Sequence, residues 1–166
     1  IDLGTGSGII AITLAAECPQ LEVTAVDNSI EALHIAKKNA QLNQTQNIRF
    51  LQSDWLTQVA NESFDFIVSN PPYIDPDDPH LIQGDIRFEP NSALIAQQQG
   101  LQDIMHISEQ SQHYLNNGGY LILEHGYNQK QCVHDILHQH HYQNIHCLQD
   151  LSNQPRISYA QWLTPY

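Results

Sequence analysis

Short apolar runs and segments of helical character alternate along the chain. The apolar runs, which are rich in β-branched residues, predict strands at 1–3, 21–26, 48–52, 64–69 and 120–124. The segments between them predict helices at 9–17, 30–42, 101–115 and 129–139. Two last predicted strands, at 143–149 and 157–163, follow one another without an intervening helix.

The order of these elements indicates the fold class. Strands that alternate with helices favour an α/β fold, in which a mostly parallel sheet carries helices on both faces. The two last strands predict a hairpin and therefore an antiparallel member near the C-terminal end. No internal repeat or linker-like stretch divides the sequence, so we expect a single domain over residues 1–166.

Two segments interrupt the alternation. Residues 74–99 contain three prolines, a glycine and several aspartates, and they predict a long loop. Loops of this length are usually functional or disordered. An Asn-Gly-Gly sequence at 117–119 predicts a turn before the strand at 120–124. At the other end, Ile1 already lies in the last part of a predicted strand, so we expect a truncated first strand and further sequence upstream.

Composition narrows the function classes. The formal net charge is -12 with only six lysines and arginines, whereas a surface that binds duplex nucleic acid needs a basic stripe. An acidic surface can attract a basic protein partner, or it can simply keep the domain in solution. No apolar run approaches the roughly 18 residues of a membrane helix. The three cysteines lack tight spacing, which favours free thiols in the cytoplasm.

A glycine-rich segment joins the first predicted strand to the first helix, and it consists of Gly4, Thr5, Gly6, Ser7 and Gly8. Glycines allow a tight turn and let a ligand approach the backbone, while the following helix points its first N–H groups at the bound group. The dinucleotide pattern needs a small residue where Ile9 stands, and no lysine of a phosphate-binding loop is present. The segment therefore predicts a ligand-binding loop for a ligand other than NAD. The alternative is a turn with a purely structural role.

Polar and aromatic residues end the next two predicted strands. Asp27 ends the second strand, where a carboxylate can accept both hydroxyls of a ribose. Asp54 and Trp55 follow the third strand and could flank an adenine, although an ordinary turn residue and a core tryptophan are the alternatives. Strand ends of an open α/β sheet converge on one crevice, so we expect these residues and the glycine-rich segment to share a ligand site.

The strand at 64–69 runs directly into Asn70, Pro71, Pro72 and Tyr73. Two successive prolines fix φ, remove two backbone donors and push each preceding residue into an extended conformation. The chain must therefore leave the sheet stiffly. The Asn70 side-chain oxygen and the Pro71 carbonyl can accept from an NH₂ group, and the Tyr73 ring can stack on a planar one. We expect these four residues to hold a flat, neutral, nitrogen-bearing substrate beside the cofactor, so that catalysis is largely positioning.

Histidines are abundant near the end of the chain, and His134 and His138 are spaced to share a helix face, as metal ligands can. No carboxylate or cysteine completes a convincing set around them. We therefore expect exposed histidines and no metal site.

These motifs together resemble the class I S-adenosylmethionine-dependent methyltransferases. Within that class they resemble the HemK/PrmC family of protein-glutamine methyltransferases. The similarity extends to residues 77–81, 84–90, Ala93-Leu94 and Gly100-Leu101, and to Glu124-His125-Gly126. It covers nearly the whole chain but not the family's N-terminal helical domain.

The resemblance implies a Rossmann-like fold with a seven-stranded, mostly parallel sheet. It implies that residues 4–8 hold the methionine part of S-adenosyl-L-methionine, Asp27 its ribose, and Trp55, with Asp54, the adenine side. Asn70 would lie beside the cofactor, and residues 70–73 would hold the glutamine of the Gly-Gly-Gln motif in peptide chain release factors 1 and 2. Arg87 and Glu89 could shape a lid or form an internal ion pair.

Three alternatives remain at this stage. An Asn-Pro-Pro-Tyr segment also suits the amino group of adenine in DNA or RNA, although the acidic charge opposes nucleic acid as a partner. A ribosomal protein could carry the substrate glutamine instead. A catalytically idle cofactor-binding module would be expected to lose candidate residues, and none is missing here.

Overall fold

The computed structural model describes residues 1–73 and 100–164. The strands are β1 (Asp2–Leu3), β2 (Val23–Asp27), β3 (Ile48–Gln52), β4 (Phe64–Ser69), β5 (Leu115–Glu124), β6 (Gln143–Gln149) and β7 (Pro155–Gln161). The helices of the described ranges are α1 (Ile9–Glu17), α2 (Ile30–Leu42), α3 (Gln102–Ser111) and α4 (Lys130–Gln139). The residues predicted as a long loop, including Arg87 and Glu89 and the motifs at 77–94, lie outside the described ranges.

One seven-stranded sheet organises the molecule, in the order β3-β2-β1-β4-β5-β7-β6. The pairs that join β1, β2, β3, β4 and β5 are parallel, whereas β7 runs antiparallel to both β5 and β6. The predicted α/β class and its antiparallel C-terminal strand are therefore confirmed. The chain order turns back at β1, which lies between β2 and β4, so the crevice expected for a ligand opens between the carboxyl ends of β1 and β4.

Two apolar clusters hold the helices against the sheet. The larger one packs α3 and α4 against the central strands, and Leu3, Ile67, Ile104, Leu121 and Val133 are all fully buried in it. The smaller one packs α1 against β2 through Ala11, Ala15, Val23 and Ala25. The three alanines of this cluster leave room for α1 to lie directly on β2.

Several local predictions need correction. The third helix ends at Ser111 instead of 115, because Leu115 already pairs with Phe64 in the sheet. The turn predicted at 117–119 is an irregularity inside β5, where the register shifts and Gly118 takes a φ of 87°. The backbone of Trp162 bonds to Gly118 and Gly119 there and keeps this stretch in the sheet. A glycine pair marks a bulge here because strands flank it on both sides.

Candidate functional site

The turn between β1 and α1 contains three glycines that all have positive φ: 68° at Gly4, 55° at Gly6 and 85° at Gly8. A Cβ atom on Gly8 would lie 3.0 Å from the Cβ of Ala36, so packing against α2 requires this glycine. A Cβ on Gly6 would meet no atom within 4 Å, and one on Gly4 would lie 3.3 Å from the Trp55 ring. Gly4 and Gly6 therefore leave backbone accessible to a ligand, whereas Gly8 serves the fold.

The Asp27 carboxylate fixes this turn from the end of β2. Its Oδ2 accepts from the Gly6 N–H at 2.8 Å, and its Oδ1 accepts from the Ser29 N–H at 2.9 Å. The Asp27 carbonyl accepts from the Ser53 N–H at 3.0 Å, which ties β3 to the same corner. Each carboxylate oxygen can accept a second hydrogen bond, so the half-buried Asp27 remains able to take hydroxyls of a ligand.

A second carboxylate, at Asp2, lies behind the turn and was not among the predicted site residues. It is 1% exposed, and its Oδ2 accepts from the Thr5 hydroxyl at 2.6 Å and the Ala11 N–H at 3.2 Å. Burial raises the pKa of Asp2 to about 6, against the opposing effect of these hydrogen bonds. Its Oδ1 is buried without a hydrogen-bond partner among the described residues. The sequence signal was a carboxylate between the apolar residues Ile1 and Leu3, two positions before the first glycine.

The charges around the turn decide which ligands it suits. The Asp2 carboxylate already accepts from the first turn of α1, so it partly neutralises the positive end of that helix. With a pKa of about 6, Asp2 is mostly ionised at neutral pH. Asp27 adds a second carboxylate at the same turn. These two negative groups would repel a phosphate, whereas they would attract a cationic ligand and would not repel a neutral one.

The third strand end brings an aromatic ring to the turn. Trp55 has a φ of 48°, a strained conformation for a bulky residue, and its carbonyl accepts from the buried Ser53 hydroxyl at 2.7 Å. The ring is half-buried, and its edge lies 3.3 Å from the point where a Cβ atom on Gly4 would stand. The Asp54 side chain is exposed, and burial together with the nearby Asp54 charge raises the pKa of Asp103 at the start of α3. The structure thus brings Trp55 to the glycines, with Asp54 at the rim.

Asn70 leaves the sheet beside Gly4. Leu3 pairs with Ser69 across the parallel strands, and the Ser69 hydroxyl donates to the Leu3 carbonyl at 2.8 Å. The next residues along each strand, Gly4 and Asn70, therefore emerge at the same edge. The Asn70 side chain is exposed and makes no hydrogen bond to the described residues, whereas Pro71 is buried.

Tyr73 is held at both ends. Its hydroxyl donates to Glu124 Oε1 at 3.0 Å, and its carbonyl accepts from Gln129 Nε2 at 2.9 Å. Burial raises the pKa of the Tyr73 phenol to about 12, and the Glu124 charge adds to this effect. A Cβ on Gly100 would overlap the Tyr73 carbonyl, so only glycine fits there. The half-buried ring is therefore anchored to β5, a role that the sequence did not predict.

A buried polar network lies behind this anchor. Gln129 Oε1 accepts from the Gly126 N–H at 2.7 Å, and His125 lies between the Gly126 carbonyl and the Ser158 hydroxyl, each 2.9 Å from a ring nitrogen. Burial lowers the pKa of His125, which favours the neutral ring. In the sequence, Glu124-His125-Gly126 stood out only through the family resemblance. Tyr73 and Ser158, which bond to this segment, lie far away along the chain.

Other surfaces do not add to this site. His134 and His138 stack with ring centroids 6.4 Å apart, and they line an open surface hollow of about 430 Å³ with Tyr142. Within residues 1–73 and 100–164, no group of three or more metal-ligating side chains could hold an ion. No helix in those ranges is long and apolar enough to cross a bilayer.

Comparison with known proteins places the chain in a family. The sequence profile described as "Methyltransferase small domain" matches residues 1–84. The chain belongs to the methyltransferase small domain family. A methyltransferase from Pyrococcus furiosus has the same fold, with a TM-score of 0.74 at 17% identity, over 98% of this chain and 74% of the other.

Curated relatives of this methyltransferase small domain protein match over nearly its whole length. One from Vibrio cholerae is 47% identical over 165 residues, which is 99% of this chain, and one from Aliivibrio fischeri is 44% identical over 164 residues, which is 98%. Both are named "Release factor glutamine methyltransferase", and the resemblance drawn from the motifs is confirmed. The chain spans 58% of the length of each relative.

Proposed function

We propose that this protein transfers a methyl group from S-adenosyl-L-methionine to the side-chain amide nitrogen of glutamine in the Gly-Gly-Gln motif of peptide chain release factors 1 and 2. It would act in the cytoplasm, on a protein and not on nucleic acid. The observation that carries the proposal is the exposed Asn70 amide, which emerges beside a glycine turn lined by two carboxylates.

The residues of the turn fit the proposed cofactor. S-adenosyl-L-methionine, when bound, supplies a methyl group that is already activated by a positively charged sulfonium. Asp2 and Asp27 give the turn a negative potential, and Gly6 leaves room for close approach to the backbone. In this proposal Asp27 accepts the ribose hydroxyls, residues 4–8 hold the methionine part, and Trp55 flanks the adenine with Asp54 at the rim.

Residues 70–73 would place the substrate amide. Asn70 Oδ1 and the Pro71 carbonyl accept the two hydrogens of the glutamine NH₂ group, which aims the nitrogen lone pair at the methyl group. Pro71 and Pro72 keep these two acceptors in a fixed relation. The amide nitrogen becomes acidic only after it is alkylated, so its proton can leave late. Positioning is then the main contribution of the protein.

The curated relatives favour glutamine over the alternatives. Their names specify a release factor glutamine, and their identity to this chain is between 44% and 47% over almost all its residues. An adenine substrate would require a nucleic-acid surface, which the net charge of -12 opposes. A ribosomal-protein glutamine would use the same amide chemistry, so only the substrate can separate these two functions.

A substrate competition tests the proposal. The protein and labelled S-adenosyl-L-methionine are incubated with release factor, with release factor whose Gly-Gly-Gln glutamine is changed to asparagine, with ribosomal proteins and with an adenine-containing oligonucleotide. We expect label in intact release factor alone, and mass spectrometry should place one methyl group on that glutamine. Label in the oligonucleotide, or equal label in the asparagine variant, would refute the assignment.

A further inference from the structure

We propose that Gln129 is a positioning residue that holds the Asn70 amide in place through Tyr73. This inference rests on the proposed function, because it assigns Gln129 a part in methyl transfer. Gln129 lies outside the predicted site, on the residue that precedes α4. It is 7% exposed, so it acts from behind the site instead of touching a substrate.

The amide of Gln129 bridges two pieces of backbone. Its Nε2 donates to the Tyr73 carbonyl at 2.9 Å, and its Oε1 accepts from the Gly126 N–H at 2.7 Å. Only a side-chain amide offers a donor and an acceptor on one planar group of this length. The bridge therefore ties the end of residues 70–73 to the end of β5.

The surroundings of the Tyr73 carbonyl show that this contact is built into the fold. Gly100 has a φ of 77°, and any side chain there would displace the carbonyl. At the other end of the residue, the phenol donates to Glu124 at 3.0 Å. Tyr73 is thus fixed at its backbone by Gln129 and at its ring by Glu124.

Holding Tyr73 also holds Asn70, because two prolines separate them. Each proline ring fixes φ, so residues 70–73 have few soft dihedrals through which to relax. At its other end the segment continues directly from Ser69, which is buried and bonded to Leu3. A segment that is clamped at both ends and stiff between them fixes the backbone that carries the Asn70 side chain at the candidate site.

Replacement of Gln129 tests the inference. Gln129→Glu keeps the length and the acceptor for Gly126 but replaces the NH₂ donor to Tyr73 with a carboxyl oxygen, and Gln129→Met removes both bonds without adding any ionisable group. Gln131→Glu is the matched control, since Gln131 is an exposed residue of α4 that bonds only to Asp135 in the described ranges. We expect both Gln129 variants to lower kcat on release factor about tenfold, with smaller changes in KM and cofactor affinity. The control should keep wild-type kinetics.

A double mutant separates positioning from general structural damage. If Gln129 acts through Asn70, Gln129→Glu should slow the Asn70→Ala variant by less than about twofold, because the amide that it positions is already absent. Independent, multiplicative effects of the two substitutions would overturn the inference. So would equal slowing by Gln131→Glu.

A third measurement does not depend on methyl transfer. Chymotrypsin cleaves after tyrosine, and mass spectrometry can follow cleavage at Tyr73 under native conditions. We expect both Gln129 variants to be cut there at least about fivefold faster than wild type and the Gln131→Glu control. If the wild type fails to methylate release factor, the proposed function falls, but the cleavage rate still decides whether Gln129 holds Tyr73 in place. Unchanged cleavage at Tyr73 in both Gln129 variants would end it.

Discussion

The candidate site has two walls that are built from different parts of the chain. The glycine wall consists of residues 4–8 with Asp2 and Asp27, and its bonds join residues 3, 9 and 21 positions apart. The proline wall consists of residues 70–73, and its anchors Glu124 and Gln129 lie 51 and 56 positions away from Tyr73. The first wall is a local structure that carries buried charge, whereas the second depends on the opposite half of the chain.

The difference has a physical consequence. A wall made by neighbouring residues forms together with β1, β2 and α1, so it needs few long-range contacts. The proline wall reaches its native position only when β5 and the start of α4 are folded, because they carry its anchors Glu124 and Gln129. Damage to β5 or α4 should therefore affect substrate placement before it affects cofactor binding. Four predictions below test this comparison.

The largest expected effect concerns the buried charge of the glycine wall. The pKa of Asp2 rises from 3.8 to about 6 on folding, so the folded protein holds an extra proton between these values. Stability from this group is present below pH 4 and is lost as the pH rises through 6, by roughly 3 kcal/mol. We expect Asp2→Asn to gain in unfolding free energy relative to wild type over this window, as measured by urea denaturation from pH 4 to 7. A constant difference would show that Asp2 is not held in its neutral form.

The next effect concerns the exposed amide of the proline wall. Asn70→Ala should lower kcat/KM on release factor about a hundredfold or more, because a small misplacement of a reacting group can cost that much. Cofactor affinity, measured by calorimetry, should change far less. Asn70→Asp keeps the shape and should also lose activity, because a negative charge beside the sulfonium alters placement. If Asn70→Ala instead abolished cofactor binding and left turnover of the bound complex intact, Asn70 would be a cofactor-binding residue and not a substrate-binding one.

A somewhat smaller effect is expected at Asp27. Asp27→Ala removes the acceptors for Gly6 and Ser29 as well as the proposed ribose contact. We expect cofactor affinity to fall tenfold to a hundredfold, which is the loss for charge-assisted hydrogen bonds of about 1.5–3 kcal/mol. Chymotryptic cleavage at Tyr73 should stay at the wild-type rate, because among the described residues Asp27 makes no hydrogen bond to Glu124 or Gln129, which anchor Tyr73. An unchanged affinity in calorimetry would remove Asp27 from the site.

The smallest effect is expected at the Tyr73 hydroxyl. Tyr73→Phe loses one hydrogen bond to Glu124 but keeps the ring and the Gln129 contact. Because Gln129 still holds the Tyr73 backbone, we expect only a few-fold fall in kcat, with cofactor affinity unchanged. A drop as large as that for Asn70→Ala would mean that the hydroxyl takes part in the reaction itself.

The amino-acid order alone determined the fold class, and it predicted where the candidate site lies. Alternating strands and helices predicted the parallel sheet, and the last two strands predicted its antiparallel member. Residues 4–8, Asp27 and residues 70–73 could be proposed as site residues from the sequence because each of them directly follows a predicted strand. Local spacing is enough when the chemistry lies at strand ends, since parallel strands deliver those ends to one edge.

Only the tertiary structure decided which residues support the candidate site. It also showed that the glycine pair predicted as a turn is a bulge within β5. Glu124, Gln129 and Gly100 reach Tyr73 from distant segments, and no spacing in the sequence encodes these contacts. The sequence at Gly118 and Gly119 predicts a turn, and only their backbone pairing with Trp162 shows that they lie within the sheet. Side-chain burial likewise set the charge state of Asp2, because the desolvation that raises its pKa exists only once α1 covers the strand.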